Sequence, residues 1–324
     1  MTPSISAASA PAPAGRRPAA SRRAPARGGR HQGAPYLLYL VPSALLFVAV
    51  IAVPFGMNIG ISLTRWPGVG PVKWIGLANY RQLLHDSQFW ASFWHSAAMI
   101  IAMAVVPAII GLVLAAALFD LIGRRFGSRT ASVLRACIYL PQVLPIAVAG
   151  IVWGWILDAQ NGPVNTALKD VGLGGLARDW LGDPKTALLS VMAIMVWVQV
   201  GYPVVIFMAG LQRADPALTE AAEIDGASWW RRLWRITVPQ IRPEIYVVLL
   251  TCTIAALKVF ALIFVLTQGG PGTATQVPSY FSYQNFFQYE QVGYGAAIAT
   301  VLTIIIVALS AVFLRVQARN QREA

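Results

Sequence analysis

Six long apolar stretches constrain the fold of this chain more than any other feature of its sequence. They cover residues 36–63, 96–119, 136–157, 186–212, 245–267 and 294–314. Each reaches the roughly 20 residues that a helix needs to cross about 30 Å of hydrocarbon. The stretches lack the alternation of barrel strands, and backbone polar groups cannot stay unpaired in lipid, so the stretches are predicted to be helices. The predicted fold is all-α, a polytopic membrane bundle with six transmembrane helices.

The composition excludes a soluble globule of this length. Of the 324 residues, 57% are hydrophobic and 12% are charged, about half the one-quarter share of charged residues in soluble domains. Cys137 and Cys252 both lie within apolar stretches, so a disulfide scaffold and a cysteine-based zinc cluster are excluded. The three histidines, His31, His85 and His95, lack the spacing of metal ligands. No metal site is predicted.

Basic residues concentrate in alternate connecting segments. Eighteen of the 25 Lys and Arg residues lie in segments 1–35, 120–135, 213–244 and 315–324. By the positive-inside rule, this distribution predicts that both termini are cytoplasmic. Segment 1–35 has six arginines and no acidic residue, so it is predicted to be a disordered basic tail. Segment 315–324 is predicted to be a cytoplasmic C-terminal tail.

The segment between the fourth and fifth stretches has a helix-break-helix pattern. Asp215 and Pro216 occupy the N-cap and first positions of a predicted short helix, where these residue types are favoured. Gly226 permits a turn, and Ser228 can cap a second helix that is predicted to end near Pro239. We expect the first helix to lie along the membrane surface and face a cytoplasmic partner. The pattern by itself leaves a solvated amphipathic loop open as the alternative.

The same segment carries a motif of a known transporter family. Glu220-Ala221-Ala222, followed by Gly226, Ile236 and Pro239 at fixed spacing, resembles the EAA motif of the membrane subunits of binding-protein-dependent ABC importers. Further agreement is found, in order, at residues 75–81, 140–145, 151–155, 162–165, 265–271 and 293–297. The match covers residues 36–314, which would form one permease domain. In particular, the chain resembles the first permease subunit of maltose-type and glycerol-phosphate-type carbohydrate importers.

This resemblance implies a set of partners and a division of labour. It implies a second permease subunit, an ABC ATPase dimer and an extracytoplasmic sugar-binding protein, assembled in the bacterial inner membrane and surrounded by lipid. The residues expected to couple to the ATPase are Glu220, Ala221, Ala222, Asp225, Gly226, Ile236 and Pro239. This chain is expected to be non-catalytic and without a cofactor, because it lacks a G-x-x-x-x-G-K-[ST] loop. ATP and Mg would bind the partner ATPase.

Polar and aromatic residues within the apolar stretches are candidates for the substrate pathway. They are Gln142, Trp153, Gln199, Tyr202 and Lys258. Amide and hydroxyl groups can bond sugar hydroxyls, and Trp153 can stack on a sugar ring, although interfacial anchoring or core packing also explains a tryptophan. Lys258 costs at least a few kcal/mol in a span unless it is paired or faces a wet cavity. A lysine bonded to helix carbonyls or to an acidic residue of a partner subunit is the alternative.

Two positions depart from the family pattern. Phe260 is followed by Ala261, where the family often has an acidic residue, and His95-Ser96 stands where Asn-Thr is common. We expect these departures to affect the choice of sugar rather than the cytoplasmic motif.

Two other function classes are weakly supported by the residues. A self-sufficient ion-coupled membrane carrier is the alternative function, but it needs ionisable groups in the spans, and the six stretches offer only Lys258. Nucleic-acid binding by the basic tail is not expected, because the tail up to Pro35 has no aromatic residue.

Overall fold

A computed structural model describes residues 33–323, with side chains described at 39–120 and 129–319. The predicted basic tail therefore lies outside the described residues, except for its last three, which begin the first helix. The contacts divide the chain after Val53, and the two units are described separately. The first unit holds helix α1 (Gly33–Phe47) and a π-helical segment, Val48–Ala52. Every residue from Tyr39 to Val53 is exposed, as expected of an apolar helix that meets lipid or another chain.

The second unit begins with a helix, a small hairpin and the second span. Its first elements are α2 (Val53–Ser62), β1 (Thr64–Arg65), β2 (Lys73–Trp74), α3 (Ala78–His85), α4 (Ser87–Ile100) and α5 (Val106–Ala116). The strands are antiparallel, with Thr64 opposite Trp74. The Asn79 amide donates to the carbonyls of Ser62 (2.8 Å) and Thr64 (2.9 Å). These bonds tie α3 to the end of α2 and to the hairpin.

The remaining helices follow in two groups. Before the motif-bearing segment lie α6 (Gly123–Val143), α7 (Ile146–Ile156), α8 (Pro163–Asp170), α9 (Pro184–Gln199) and α10 (Gly201–Leu211). From that segment onward lie α11 (Pro216–Ile224), α12 (Trp229–Arg232), α13 (Val238–Gln240), α14 (Arg242–Leu257), α15 (Ala261–Leu266), α16 (Pro278–Tyr283) and α17 (Val292–Glu323). Further π-helical segments are Ile101–Val105, Ala117–Ile122, Leu233–Thr237 and Gln284–Gln288.

The predicted all-α membrane fold is confirmed. Within the described residues, four continuous apolar helices are long enough to cross a membrane, namely Tyr39–Ser62, Ser87–Asp120, Pro184–Leu211 and Val292–Arg319. Two further helix pairs pass the same test but are bent, which gives up to six spans if each pair counts as one. The second span begins at Ser87, nine residues before the predicted boundary at 96, because Asp86 caps the helix there with bonds from the N–H groups of Gln88 and Phe89.

Two of the six predicted spans are not single helices, which corrects the sequence analysis. The stretch 136–157 bends by 94° between Val143 and Ile146, at Pro145, which lacks the N–H needed to continue a helix. The stretch 245–267 ends its helix at Leu257, and Phe260 has φ −142° and ψ −60° before α15 begins. Lys258 therefore lies at a helix break rather than inside a helix.

One of the apolar core clusters is formed by the packing of α5, α10 and α14. Val204, Phe207 and Val248 are at most 1% exposed in one apolar cluster. Gly111 on α5 permits this packing, because a Cβ there would lie 2.6 Å from the Cβ of Pro203. The motif-bearing segment, which follows α10 and precedes α14, is thereby fixed at both ends to a tightly packed part of the described chain.

Candidate functional site: the α11 loop and the residues of the spans

Helix α11 is anchored at its start by a capping aspartate. The Asp215 carboxylate accepts the N–H of Ala217 (2.9 Å), and Pro216 follows at the first helical position. The N–H of Asp215 donates to Oε1 of Gln240 on α13 (2.8 Å). One residue therefore satisfies an otherwise unpaired N–H of α11 and ties the helix to the other side of the loop.

An ion pair joins the two ends of the loop, which we call the α11 loop (residues 213–244). The Arg213 guanidinium, just after α10, pairs with the Glu244 carboxylate in the first turn of α14. The Glu244 side chain is 13% exposed, whereas that of Arg213 is 71% exposed. Because the Glu244 carboxylate is partly buried, water and salt screen its attraction to Arg213 less than they would screen a fully exposed pair.

A Schellman motif ends α11 at Gly226. The N–H of Gly226 donates to the carbonyl of Glu223 (3.1 Å), and the N–H of Ala227 donates to the carbonyl of Ala222 (2.9 Å). Gly226 has φ +73°, a conformation that glycine adopts without steric cost. Asp225 is the C-cap residue. The break predicted from the sequence is therefore present, and its angle is set by the backbone of Gly226.

The surface of α11 is uncovered. None of its nine residues is buried, and Leu218 and Ile224 are 53% and 87% exposed. Glu220 and Ala221 are exposed, and Ala222 is half-buried. Within the described chain, the Glu220 carboxylate has no hydrogen bond or ion pair. An anchored helix that exposes two large aliphatic side chains and a free carboxylate has the character of a contact surface for another protein.

The second half of the α11 loop is packed against the core. Leu233 is 1% exposed, and Trp229 packs on the same apolar cluster and on the ring of Trp230. Arg232 pairs with Glu223 across the break, at 3.5 Å. Ser228 is at the N-cap position of α12 but makes no capping bond.

Ile236 and Pro239 are half-buried on the packed side of the break. The motif residues therefore divide into an uncovered group on α11 and an anchored group after the break.

The five pathway candidates lie on several helices, and only Gln199 and Tyr202 share one, in the continuous helix Pro184–Leu211. Gln199 is 8% exposed, and its amide donates to Sγ of Cys252 on α14 (3.1 Å). Tyr202 is half-buried against the cluster around α5 and α10. No described hydrogen bond or ring contact joins two of the five candidates.

The other three candidates differ in their packing, hydrogen bonding and exposure. Trp153 is half-buried and packs edge-on against Trp197, with ring centroids 5.4 Å apart. Gln142 lies one residue before the end of α6, and its buried Oε1 has no hydrogen-bond partner in the described chain. Lys258 is exposed at the break after α14.

The sequence analysis missed an aromatic series that extends from Phe260, just before α15, to Phe287, in the π-helical segment after α16. Ring centroids are 5.5 Å apart for Phe260 and Phe264, 5.3 Å for Phe260 and Tyr283, and 5.1 Å for Tyr283 and Phe287. Phe264 and Phe287 are 39% and 68% exposed. The four-residue spacings of Phe260 with Phe264 and of Tyr283 with Phe287 indicate one aromatic face in each of two segments. No sequence pattern indicates that these two segments contact each other.

Three comparisons place these features among known proteins. Residues 108–323 match the family model described as the inner membrane component of binding-protein-dependent transport systems. The chain is 36% identical to the probable ABC transporter permease protein YurN of Bacillus subtilis, over 85% of this chain and 93% of that protein. It is 31% identical to the trehalose/maltose transport system permease protein MalF of Thermococcus litoralis, over 86% and 92% of the two chains.

A solved structure has the same fold. The crystal structure of a bacterial ABC transporter involved in the import of the acidic polysaccharide alginate has a chain that superposes with a TM-score of 0.75 at 22% identity, covering 88% of this chain and 96% of that one. The resemblance drawn from the EAA motif is thus confirmed by the family model, the relatives and the fold. The chain belongs to the family of inner membrane components of binding-protein-dependent transport systems, the ABC transporter permeases.

Proposed function

We propose that this chain is the permease subunit of an ATP-driven sugar importer, that it forms half of the translocation pathway, and that α11 couples it to a cytoplasmic ATPase. The observation that carries the proposal is the uncovered α11, which is anchored at both ends and has no buried residue. The relative from Thermococcus litoralis, a trehalose/maltose transport permease, supports a sugar as the cargo.

The geometry of the α11 loop suits the transmission of force. The Asp215 cap, the Arg213–Glu244 pair and the glycine-closed turn hold α11 at a fixed angle to the packed segment after it. A partner that moves α11 would therefore also move α12 and the start of α14, because the loop between them is not flexible enough to absorb the motion. Ala221 and Ala222 leave room for close approach, and Glu220 offers a carboxylate to basic groups.

The partners follow from what this chain lacks. The chain has no phosphate-binding loop in its sequence, so a separate ATPase dimer would bind ATP and Mg. A second permease would complete the pore, and the family description supports an extracytoplasmic binding protein that delivers the sugar. Under this proposal both termini lie in the cytoplasm, in agreement with the distribution of Lys and Arg.

The test is isolation of the tagged chain from its native membrane in mild detergent, with mass spectrometry of the proteins that accompany it and an ATPase assay. We expect a second permease, an ABC ATPase and ATP hydrolysis. A matched preparation with Glu220→Lys is expected to retain the second permease and lose most of the ATPase. A wild-type chain that emerges alone and without ATPase activity would contradict the proposal and favour a self-sufficient carrier.

A further inference from the structure

Helix α14 keeps one face open along most of its length. Val247, Thr251 and Lys258 are exposed, whereas Val248 and Cys252 are fully buried. Spacings of four and seven residues place the three exposed positions on one side of a helix. Lys258 is the C-cap residue of α14, and its N–H bonds to the carbonyls of Ile254 and Ala255, so its position on this side of α14 is fixed by the helix end. An open face that carries a threonine and a lysine is unlike a lipid-facing surface.

Lys258 has no counter-charge within the part of the chain that the structure describes. Helices α4, α5, α7, α10, α15 and α16 contain no acidic residue, and Glu244, in the first turn of α14, is paired with Arg213. Ala261, the first residue of α15, lies only three residues after Lys258, and an extended chain of that length spans at most about 11 Å, so a carboxylate there would lie close enough to act on the ammonium. Within the described residues, no hydrogen bond or ion pair of the Lys258 ammonium is present. An ammonium within an apolar span is stable only where water or an anion meets it.

The end of the α14 helix accounts for part of this arrangement. A cation is favoured near a helix C-terminus, where the carbonyl groups carry partial negative charge. That field is a fraction of a unit charge and leaves the donors of an ammonium free. Lys258 can therefore bind a full anion in addition.

Aromatic rings adjoin the break that holds Lys258. Phe260 follows two residues later and is half-buried, and the series continues through Phe264, Tyr283 and Phe287, all at least partly exposed. Ligand sites typically combine aromatic walls with a small number of placed polar groups. An exposed lysine followed two residues later in the chain by the first of several partly exposed rings has that composition.

We propose that Lys258 binds the anionic group of the transported sugar, so that the importer takes sugars bearing a carboxylate, sulfonate or phosphate, with the rings of Phe260, Phe264, Tyr283 and Phe287 facing the sugar. The contact is a charge-assisted hydrogen bond from the ammonium to the anion. This inference rests on the proposed function, because it names the cargo of that importer.

The first test measures the effect of the Lys258 charge on the electrostatic potential at Thr251, about 10 Å away along the same helix, and needs no transport. Thr251→Cys is introduced into the tagged chain with Cys137 replaced by Ser, since Cys137 is the exposed native cysteine. The complex in native membranes is then treated with thiosulfonate reagents that carry a negative or a positive charge. We expect the anionic reagent to react faster, and Lys258→Met to reduce the ratio of the two rates by on the order of tenfold.

Two matched variants sharpen this measurement. Ala261→Asp is expected to reduce the rate ratio as Lys258→Met does, because it supplies the missing carboxylate. Val247→Cys, one turn further from Lys258 on the same exposed face, is expected to show a smaller dependence on Lys258. Absence of reaction at the thiol introduced by Thr251→Cys, or a rate ratio that does not change in Lys258→Met, would overturn the proposal, since Lys258 would then face lipid or a carboxylate of the second permease.

The second test identifies the class of cargo. The complex, isolated with its binding protein and placed in lipid nanodiscs, is assayed for ATPase stimulation by uronate-containing and phosphorylated oligosaccharides and by their neutral counterparts. We expect stimulation by acidic probes, and a loss on the order of tenfold in Lys258→Met and in Ala261→Asp. Stimulation by neutral probes alone, or no response to acidic probes, would overturn the assignment.

The two tests separate this inference from the proposed function. If no ATPase accompanies the chain, the proposed function fails, while the reagent rates in the Thr251→Cys variant still decide whether Lys258 lies in a water-filled, anion-attracting site.

Discussion

The N–H of Ala227 donates to the carbonyl of Ala222 at 2.9 Å, which closes α11 over Gly226. This bond links the geometry of a helix end to a surface that no described part of the second unit covers. Gly226 has φ +73°, and a Cβ there would meet no atom within 4 Å. The turn therefore requires glycine for its backbone conformation, and not because a side chain would clash with neighbouring atoms. The angle between α11 and α12 can therefore be changed without disturbing the core.

Replacement of Gly226 with valine is expected to uncouple ATP hydrolysis from uptake. A β-branched residue in the left-handed region costs about 1–2 kcal/mol, so the turn will relax to another angle. Gly226→Asn is the matched control, because asparagine tolerates this conformation. Uptake and ATPase activity measured together should show a lower ratio of sugar to ATP in Gly226→Val than in Gly226→Asn. Equal ratios in the two variants would argue against a role for the turn in coupling.

Reversal of the charge at Glu220 is expected to weaken binding of the ATPase. The carboxylate has no hydrogen bond or ion pair within the described chain, so Glu220→Lys should leave the thermal stability of the permease unchanged and lower the amount of ATPase recovered with it. Asp170→Lys, at an exposed position at the end of α8, is the control for net charge. Equal recovery with both variants would remove Glu220 from the contact.

Ile224 is expected to contribute apolar contact to the same surface. It is 87% exposed, and burying an aliphatic side chain of this size is worth roughly 1.5–3 kcal/mol. Ile224→Ser should therefore raise the dissociation constant for the ATPase by at least about tenfold. Leu173→Ser, which removes a 51% exposed side chain in the loop after α8, should have no effect. A titration of ATPase onto detergent-solubilised permease measures both.

Gly111 is expected to be essential for packing of α5 on α10. A Cβ at this position would lie 2.6 Å from the Cβ of Pro203 and 3.2 Å from the backbone nitrogen of Val204, so Gly111→Ala must push the helices apart. Overpacking of this kind costs about 1–3 kcal/mol in a well-packed core. Gly56→Ala on α2, where a Cβ meets nothing within 4 Å, is the control. Thermal unfolding in detergent should show a lower midpoint temperature than that of the wild-type chain for Gly111→Ala, and an unchanged midpoint temperature for Gly56→Ala.

The membrane class and the helix-break-helix segment could be predicted because both depend on local signals. Apolar length identifies spans, and Asp215, Pro216 and Gly226 each favour one backbone position whatever the surroundings. The bend at Pro145 was harder to predict from the sequence, because membrane helices often continue through a proline when neighbouring groups bond to the freed carbonyl. Hydropathy therefore gives no signal for the 94° angle at that position.

The break after Leu257 and the aromatic series had weaker signals. Residues 245–267 are continuously apolar apart from Lys258, so hydropathy favours one helix, whereas the structure turns the chain at Phe260. The Oγ of Ser279 donates to the carbonyl of Val259, a contact between positions 20 residues apart that no local pattern indicates. Gln199 illustrates the same limit, since its bond to Cys252 joins two helices.

The central claim, that α11 is the contact with the ATPase, is tested most directly by a photo-crosslinking amino acid placed at Ile224 in the intact native membrane. We predict a crosslinked adduct with an ABC ATPase, identified by mass spectrometry, and no such adduct from the same group placed at Leu173. If Ile224 gives no ATPase adduct while the ATPase still co-purifies with the chain, the coupling role of α11 is contradicted.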